Sequence, residues 1–115
     1  MAHRTEIMWI ERKPDGIVGP ARIGRVTYSK SGLSLSYRAQ QFRSLGGKGF
    51  KANYADRATG EHYWISGCHK DGKDALYSTT AEIDDDVRRE YWTKIRNQPE
   101  NSHISKLKVP GKYPG

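Results

Sequence analysis

Seven lysines and arginines (Arg22, Arg25, Lys30, Arg38, Arg43, Lys48, Lys51) fall between Gly16 and Ala55, with no aspartate or glutamate among them. Five aromatic residues, Tyr28, Tyr37, Phe42, Phe50 and Tyr54, are interleaved with these cations. Cations spread along a surface meet phosphates, and exposed ring faces stack on unpaired bases. The chemistry this block points to is recognition of a polyanion, expected to be RNA or single-stranded nucleic acid. Arg25, Arg38, Arg43, Lys48 and Lys51 are the candidate phosphate contacts, and Phe42 and Trp64 the candidate stacking platforms. Tyr28 and Tyr37 fall on the apolar side of their strands and read as core. No RNP consensus, KH clamp, zinc finger or helix-turn-helix pattern accompanies the block, so its message is compositional.

Three other clusters have residue types that do chemistry. Gly46-Gly47-Lys48-Gly49 has the glycines and lysine of a phosphate cradle, but Phe50 follows where a P-loop places its Ser or Thr. It reads as a flexible loop. His62, Cys68 and His69 supply metal-binding and nucleophilic atoms, yet zinc usually takes four ligands and adjacent residues on an extended chain point apart. A small hydrolase or metal site there is the least favoured reading, and no catalytic residue, metal or cofactor is expected. Glu82, Asp84, Asp85 and Asp86 lack calcium-loop spacing and suit the positive end of a helix. An alternative function is a protein–protein adaptor, with Trp9, Trp64 or Trp92 as its hot spot.

The elements that must position these groups follow from composition and periodicity. At 115 residues the chain is one domain in length, with 35% hydrophobic residues and a mean hydropathy of −0.88. Twelve Phe, Tyr and Trp residues make up part of the shortfall, so the core is expected to be rich in rings. The net charge of +7 favours anionic partners without specifying one. A single cysteine, Cys68, excludes an internal disulfide, and with no signal-peptide or membrane-span pattern the expectation is a cytoplasmic protein without a membrane partner. The sequence does not specify an oligomeric state.

Thr5–Glu11 reads as a strand covered on both faces, since Ile7, Met8, Trp9 and Ile10 are consecutive and Pro14-Asp15-Gly16 stops it. Arg22–Lys30 and Leu33–Arg38 alternate with period two around a turn closed by Gly32, which predicts a hairpin with Arg25, Thr27, Ser34, Ser36 and Arg38 on its polar face. Gly24 interrupts the alternation and predicts a bulge. Phe50–Asp56 and Glu61–Gly67 predict a second hairpin, whose turn starts at Asp56 and closes at Gly60. Ala75–Tyr77 reads as a short extended segment. A helix is expected over about 82–96, capped by Asp84–Asp86, with Val87, Tyr91 and Ile95 on one stripe. The fold class is α+β, mostly antiparallel β: a small SH3-like barrel or bent sheet with one C-terminal helix. Residues 1–98 form the β-rich domain and 99–115 an extended tail.

The motifs Glu6-Ile7-Met8-Trp9-Ile10-Glu11, Gly19-Pro20-Ala21-Arg22-Ile23-Gly24-Arg25-Val26, Tyr63-Trp64-Ile65-Ser66-Gly67-Cys68, Lys70-Asp71-Gly72 and Glu82-Ile83-Asp84 resemble those of a family of small bacterial proteins with no established activity. The resemblance spans about Thr5 to Pro110 and implies a bacterial, cytoplasmic, single-domain protein. Members sometimes carry the label 1-deoxy-D-xylulose-5-phosphate synthase. That enzyme is several times longer and holds thiamine diphosphate and a metal in a Gly-Asp-Gly motif followed by Asn, which this sequence lacks, so the label is rejected.

Overall fold

Strand β1 (Thr5–Arg12) carries Ile7, Met8, Trp9 and Ile10 in succession, and such a strand must be covered on both sides. The computed structural model, which describes residues 4–13, 21–46, 52–75 and 79–111, meets that need with two hydrophobic clusters. Strands β2 (Ala21–Tyr28), β3 (Ser34–Tyr37), β4 (Gln40–Ser44), β5 (Tyr54–Asp56) and β6 (His62–Gly67) each pair antiparallel with the next. β1 pairs with both β2 and β6 and so closes a six-stranded antiparallel barrel. Two further strands, β7 (Thr79–Ile83) and β8 (Lys106–Val109), extend the sheet from β2. A short helix α1 (Arg88–Glu90) runs on as a π-helical turn over Tyr91–Ile95.

Side chains fill the barrel. Met8, Ile10, Val26, Leu35, Phe42, Tyr63 and Ile65 form its interior, where Phe42 meets Tyr63 edge-on at 4.7 Å between ring centroids. Such ring pairs add about 1 kcal/mol beyond their burial. Ile7, Trp9 and Ile23 point the other way and pack beneath Ala81, Ile83, Val109, Val87, Tyr91 and Trp92. The helical segment therefore lies over β1 and β2, whereas no described element lies over the outer face of β3 and β4; Ala55 of β5, on that face, is buried.

Asparagine and aspartate side chains complete the barrel where backbone pairing stops. Asn53 both donates to Ile65 O (2.8 Å) and accepts from Ile65 N (2.9 Å), extending the β5–β6 ladder by one rung. Asp56 accepts from the amides of Ala58 and Thr59, and Gly60 N donates to Asp56 O, which is the turn expected from sequence. These amides hold the Asp56 carboxyl below its ordinary range.

Several expectations differ from the fold. The helix begins at Arg88, because residues 79–83 are strand β7, with Ala81 and Ile83 buried and Thr80 and Glu82 exposed. Asp84, Asp85 and Asp86 precede the helix and none caps it; its N-cap is Val87, which makes no side-chain cap bond. The stripe itself is present, with Val87, Tyr91 and Trp92 buried and Ile95 packed against them. Part of the expected tail is strand β8, paired with β7. Leu33, expected on the apolar face, is 67% exposed at the β2–β3 turn. The Gly16–Pro20 loop, Gly47–Lys51 and Leu76–Ser78 lie outside the described residues. The expected small barrel is present as a small antiparallel barrel.

Gly24 marks where the barrel forks. One edge of β2 serves two partners: Thr27 and Tyr28 pair with β3, while Ala21, Arg22 and Ile23 run parallel to β7. Gly24 lies between these two pairings and opposite Met8 in regular register, so the expected bulge is absent. Its lack of a side chain has another cause. A Cβ there would lie 2.5 Å from both Asp84 Oδ2 and the ring of Tyr37, two groups that hydrogen-bond each other and so have little freedom to retreat. Gly24→Ala is expected to cost about 1–3 kcal/mol of stability in urea unfolding, the usual range for overpacking; an unchanged midpoint would contradict this packing.

Candidate functional site: a charged cleft at the fork

The fork gathers four polar side chains from separate parts of the chain. Asp84 follows β7, and its amide donates to Ile23 O (2.9 Å), continuing the β2–β7 pairing one step further. This turns its carboxylate across Gly24 toward the end of β3. Asp84 Oδ2 accepts from the Tyr37 hydroxyl at 2.6 Å. Oδ1 accepts from Arg22 Nε (3.1 Å) and Nη2 (2.7 Å), and Arg38 Nη2 forms an ion pair with the same oxygen at 2.8 Å. Arg22 also reaches Tyr37 Oη through Nε (3.2 Å) and Glu82 through Nη1 (3.2 Å), and Lys106 lies 3.7 Å from Glu82. Asp84 is only 4% exposed, so the carboxylate would be costly to bury without these donors.

The electrostatics follow from this arrangement. The hydrogen bond to Asp84 raises the Arg22 guanidinium above its already high pKa, so the charge is permanent. Burial, then the hydrogen bond to Asp84, pushes the Tyr37 phenol up to about 12. Beside the cluster lies a cleft of about 360 Å³, lined by Arg22, Arg38, Glu82, Asp84, Ser105 and Lys106 among others.

Arg38 reaches the cleft from a strained position. Tyr37 pairs with Gln40, leaving Arg38 and Ala39 as a two-residue hairpin loop. Arg38 has φ of 54°, a left-handed conformation that this loop position normally gives to glycine. The cost for a residue with a Cβ is about 1 kcal/mol.

The residues nominated from sequence separate into different environments. Arg25 points outward from β2 and meets Glu90 of α1 at 2.8 Å, because the helix covers this side of β2. It is therefore not on an open polar face. Arg38 is paired with Asp84, as above. Phe42 is fully buried inside the barrel and presents no ring face, which corrects the expectation of stacking there. Trp64 is half-buried on the outer side of β6, against the second cluster. Arg43 is exposed on β4 and its guanidinium has no partner among the described residues. Lys48 and Lys51 lie outside the described residues. Trp9 and Trp92 are buried, so neither is available as an adaptor hot spot.

The His62, Cys68 and His69 cluster is not assembled. His62 begins β6 and Cys68 follows its end, a separation of about 20 Å along an extended strand. Burial, reinforced by Asp74, raises the Cys68 thiol well above its ordinary pKa and keeps it protonated, the opposite of a reactive thiolate. The ring of His69 is engaged by Lys73 O at 2.9 Å. Among the described residues no three His, Cys, Asp or Glu side chains converge as a metal site, and no helix is long and apolar enough to cross a membrane.

Sequence reasoning did not nominate Arg22, Tyr37, Asp84 or Lys106 for a site. The available signal was the period-two run Thr80-Ala81-Glu82-Ile83, which identifies a strand and so removes Asp84 from a helix cap. No family model matches the chain, and no curated protein or solved structure shows detectable similarity to it.

Two outcomes test the cluster. A phenol whose pKa is higher folded than unfolded stabilises the fold fully below the unfolded value, and that contribution is lost as pH rises through the folded one. Tyr37 and Tyr91, both at about 12 against an ordinary 10.0, should therefore make stability fall between pH 10 and 12. Tyr37→Phe should make that slope shallower, with Tyr91, and Tyr28 and Tyr54 whose phenols burial also raises, supplying the rest. Asp84→Asn should cost about 2–3 kcal/mol in urea unfolding at pH 7, less than a fully buried pair because Arg22 is 37% exposed.

Proposed function

We propose that the protein is a non-enzymatic, basic binding module for single-stranded nucleic acid, working through the outer face of β3, β4 and β5. The observation that carries the reading is that no described element lies over the outer face of β3 and β4, where Arg43 is exposed without an ion-pair partner among the described residues. Lys30 at the β2–β3 turn, Arg57 after β5 and His62 on β6 are exposed around it, and neither Lys30 nor Arg57 pairs with a described carboxylate. Of the acids that would compete, Glu82, Asp84 and Glu90 are paired with Arg22, Arg25 and Arg38 at the fork and helix, and Glu61, beside His62, is paired with Arg12.

Ser34, Ser36 and Gln41 share this face with Arg43 and supply neutral hydrogen-bonding groups suited to sugar and phosphate oxygens. With Phe42 in the barrel core, binding rests on phosphate contacts and is expected to be weak and indifferent to sequence, with Kd of about 10⁻⁴–10⁻⁶ M. Buried side chains of the described strands fill the barrel interior, which supports a surface-binding reading. Lys48 and Lys51 join it on sequence grounds alone.

Fluorescence anisotropy with mixed-sequence single-stranded RNA and DNA should show binding at low salt that weakens linearly in log–log coordinates. Replacing both Arg43 and Arg57 by Ala should flatten that slope by roughly 1.4, the loss of two single-strand phosphate contacts. No binding at low salt, or an unchanged slope in the double variant, would count against this face.

A further inference from the structure

We propose that the cleft at the fork is a binding site for a phosphate-type anion, taken by Arg38 and Lys106 with the Ser105 hydroxyl as a further donor. The site is separate from the β3–β5 face and does not depend on it.

Arg38 is in excess over what Asp84 needs. Arg22 already delivers two N–H groups to Oδ1, and Tyr37 delivers its hydroxyl to Oδ2. That arrangement satisfies and neutralises the carboxylate. Arg38 adds a second positive charge to the same oxygen through Nη2, leaving Nε and Nη1 uncommitted. Its side chain is 58% exposed, with the guanidinium 5.5 Å from the centroid of the Tyr37 ring.

The turn does not explain this arginine. At φ of 54° glycine would be less strained, so the local backbone disfavours the residue that is present. Strain retained at one loop residue, whose side chain enters a cleft and carries a redundant charge, points to a role in the cleft.

The local charge has the sign an anion requires. Arg22, Arg38 and Lys106 set three cations against the two carboxylates of Glu82 and Asp84, which leaves one positive charge. Asp85, at the rim, is paired with Arg88 at 3.0 Å. Lys106 is 65% exposed and its distance to Glu82 is long, so its ammonium has donors to give. A cleft of about 360 Å³ admits a phosphate group together with part of a larger ligand.

The same chemistry is offered by inorganic phosphate and by the terminal phosphomonoester of an oligonucleotide. The test uses the full chain at pH 7, following the backbone amide NMR signals of Arg38, Ala39, Ser105 and Lys106. Inorganic phosphate, or a 5′-phosphorylated oligonucleotide with its 5′-hydroxyl counterpart as control, should shift these signals saturably where matched sodium chloride does not. Saturation by inorganic phosphate identifies a free-phosphate site; saturation by the phosphorylated oligonucleotide alone identifies an end-binding site. Arg38→Gly suits the turn and should stay folded while binding at least about tenfold more weakly, the value of one charge-assisted hydrogen bond. The proposal is overturned if neither ligand saturates, if both oligonucleotides act alike without an effect of inorganic phosphate, or if Arg38→Gly binds as wild type does.

Discussion

The Asp84 carboxylate holds together the place where the barrel cannot pair with itself. β2 is asked to do two things along one edge, closing the barrel against β3 and starting the outer sheet against β7. Backbone hydrogen bonds cannot serve both directions at the point of divergence, and side chains bridge the gap instead. Tyr37 approaches from the barrel, Arg22 from β2 and Arg38 from the hairpin loop; Asp84 accepts hydrogen bonds from the first two and pairs in charge with the third. Gly24 has no side chain because that bond passes across its face.

The same fork accounts for the two cores. Beyond it, β7, β8 and the helical segment fold back over β1 and β2 and bury Trp9, Ile23, Tyr91 and Trp92. β1 is consequently central to both layers, with Met8 and Ile10 in one and Ile7 and Trp9 in the other. Glu11, on the Trp9 side, is also buried; it accepts from the Trp9 indole at 3.1 Å and from Lys13 at 2.8 Å, the pairing that a charge in such a place requires. Among the described residues, nothing lies over the outer side of β3 and β4, and Ser34, Ser36, Gln41 and Arg43 make that side polar.

Charge is partitioned by this layout. The acids nearest the basic hairpin are used up at the fork and along the helix, so a block that is uniformly positive in sequence is neutralised on one side in space. Among the described residues of that block, Lys30 and Arg43 remain without a carboxylate partner, and a single surplus charge remains in the fork cleft. Long-range pairs such as Arg22–Asp84, sixty-two residues apart, are invisible to a sum over a sequence window.

The sequence alone determined the elements whose signal is local. Period-two alternation specified the β2–β3 hairpin, four consecutive apolar residues specified a strand buried on both faces, and Asp56 with Gly60 specified a turn. Each is legible because residues within about ten positions of one another supply the whole physical cause. Tertiary structure decided everything that depends on which surface meets which. It made Phe42 core and not platform, since barrel closure turns that side of β4 inward. It put Arg25 under the helix, and it took Asp84 from an expected cap to the centre of a charge network. It also drew part of the apparent tail into the sheet as β8, whose pairing with β7 is not encoded by any pattern within the strand itself.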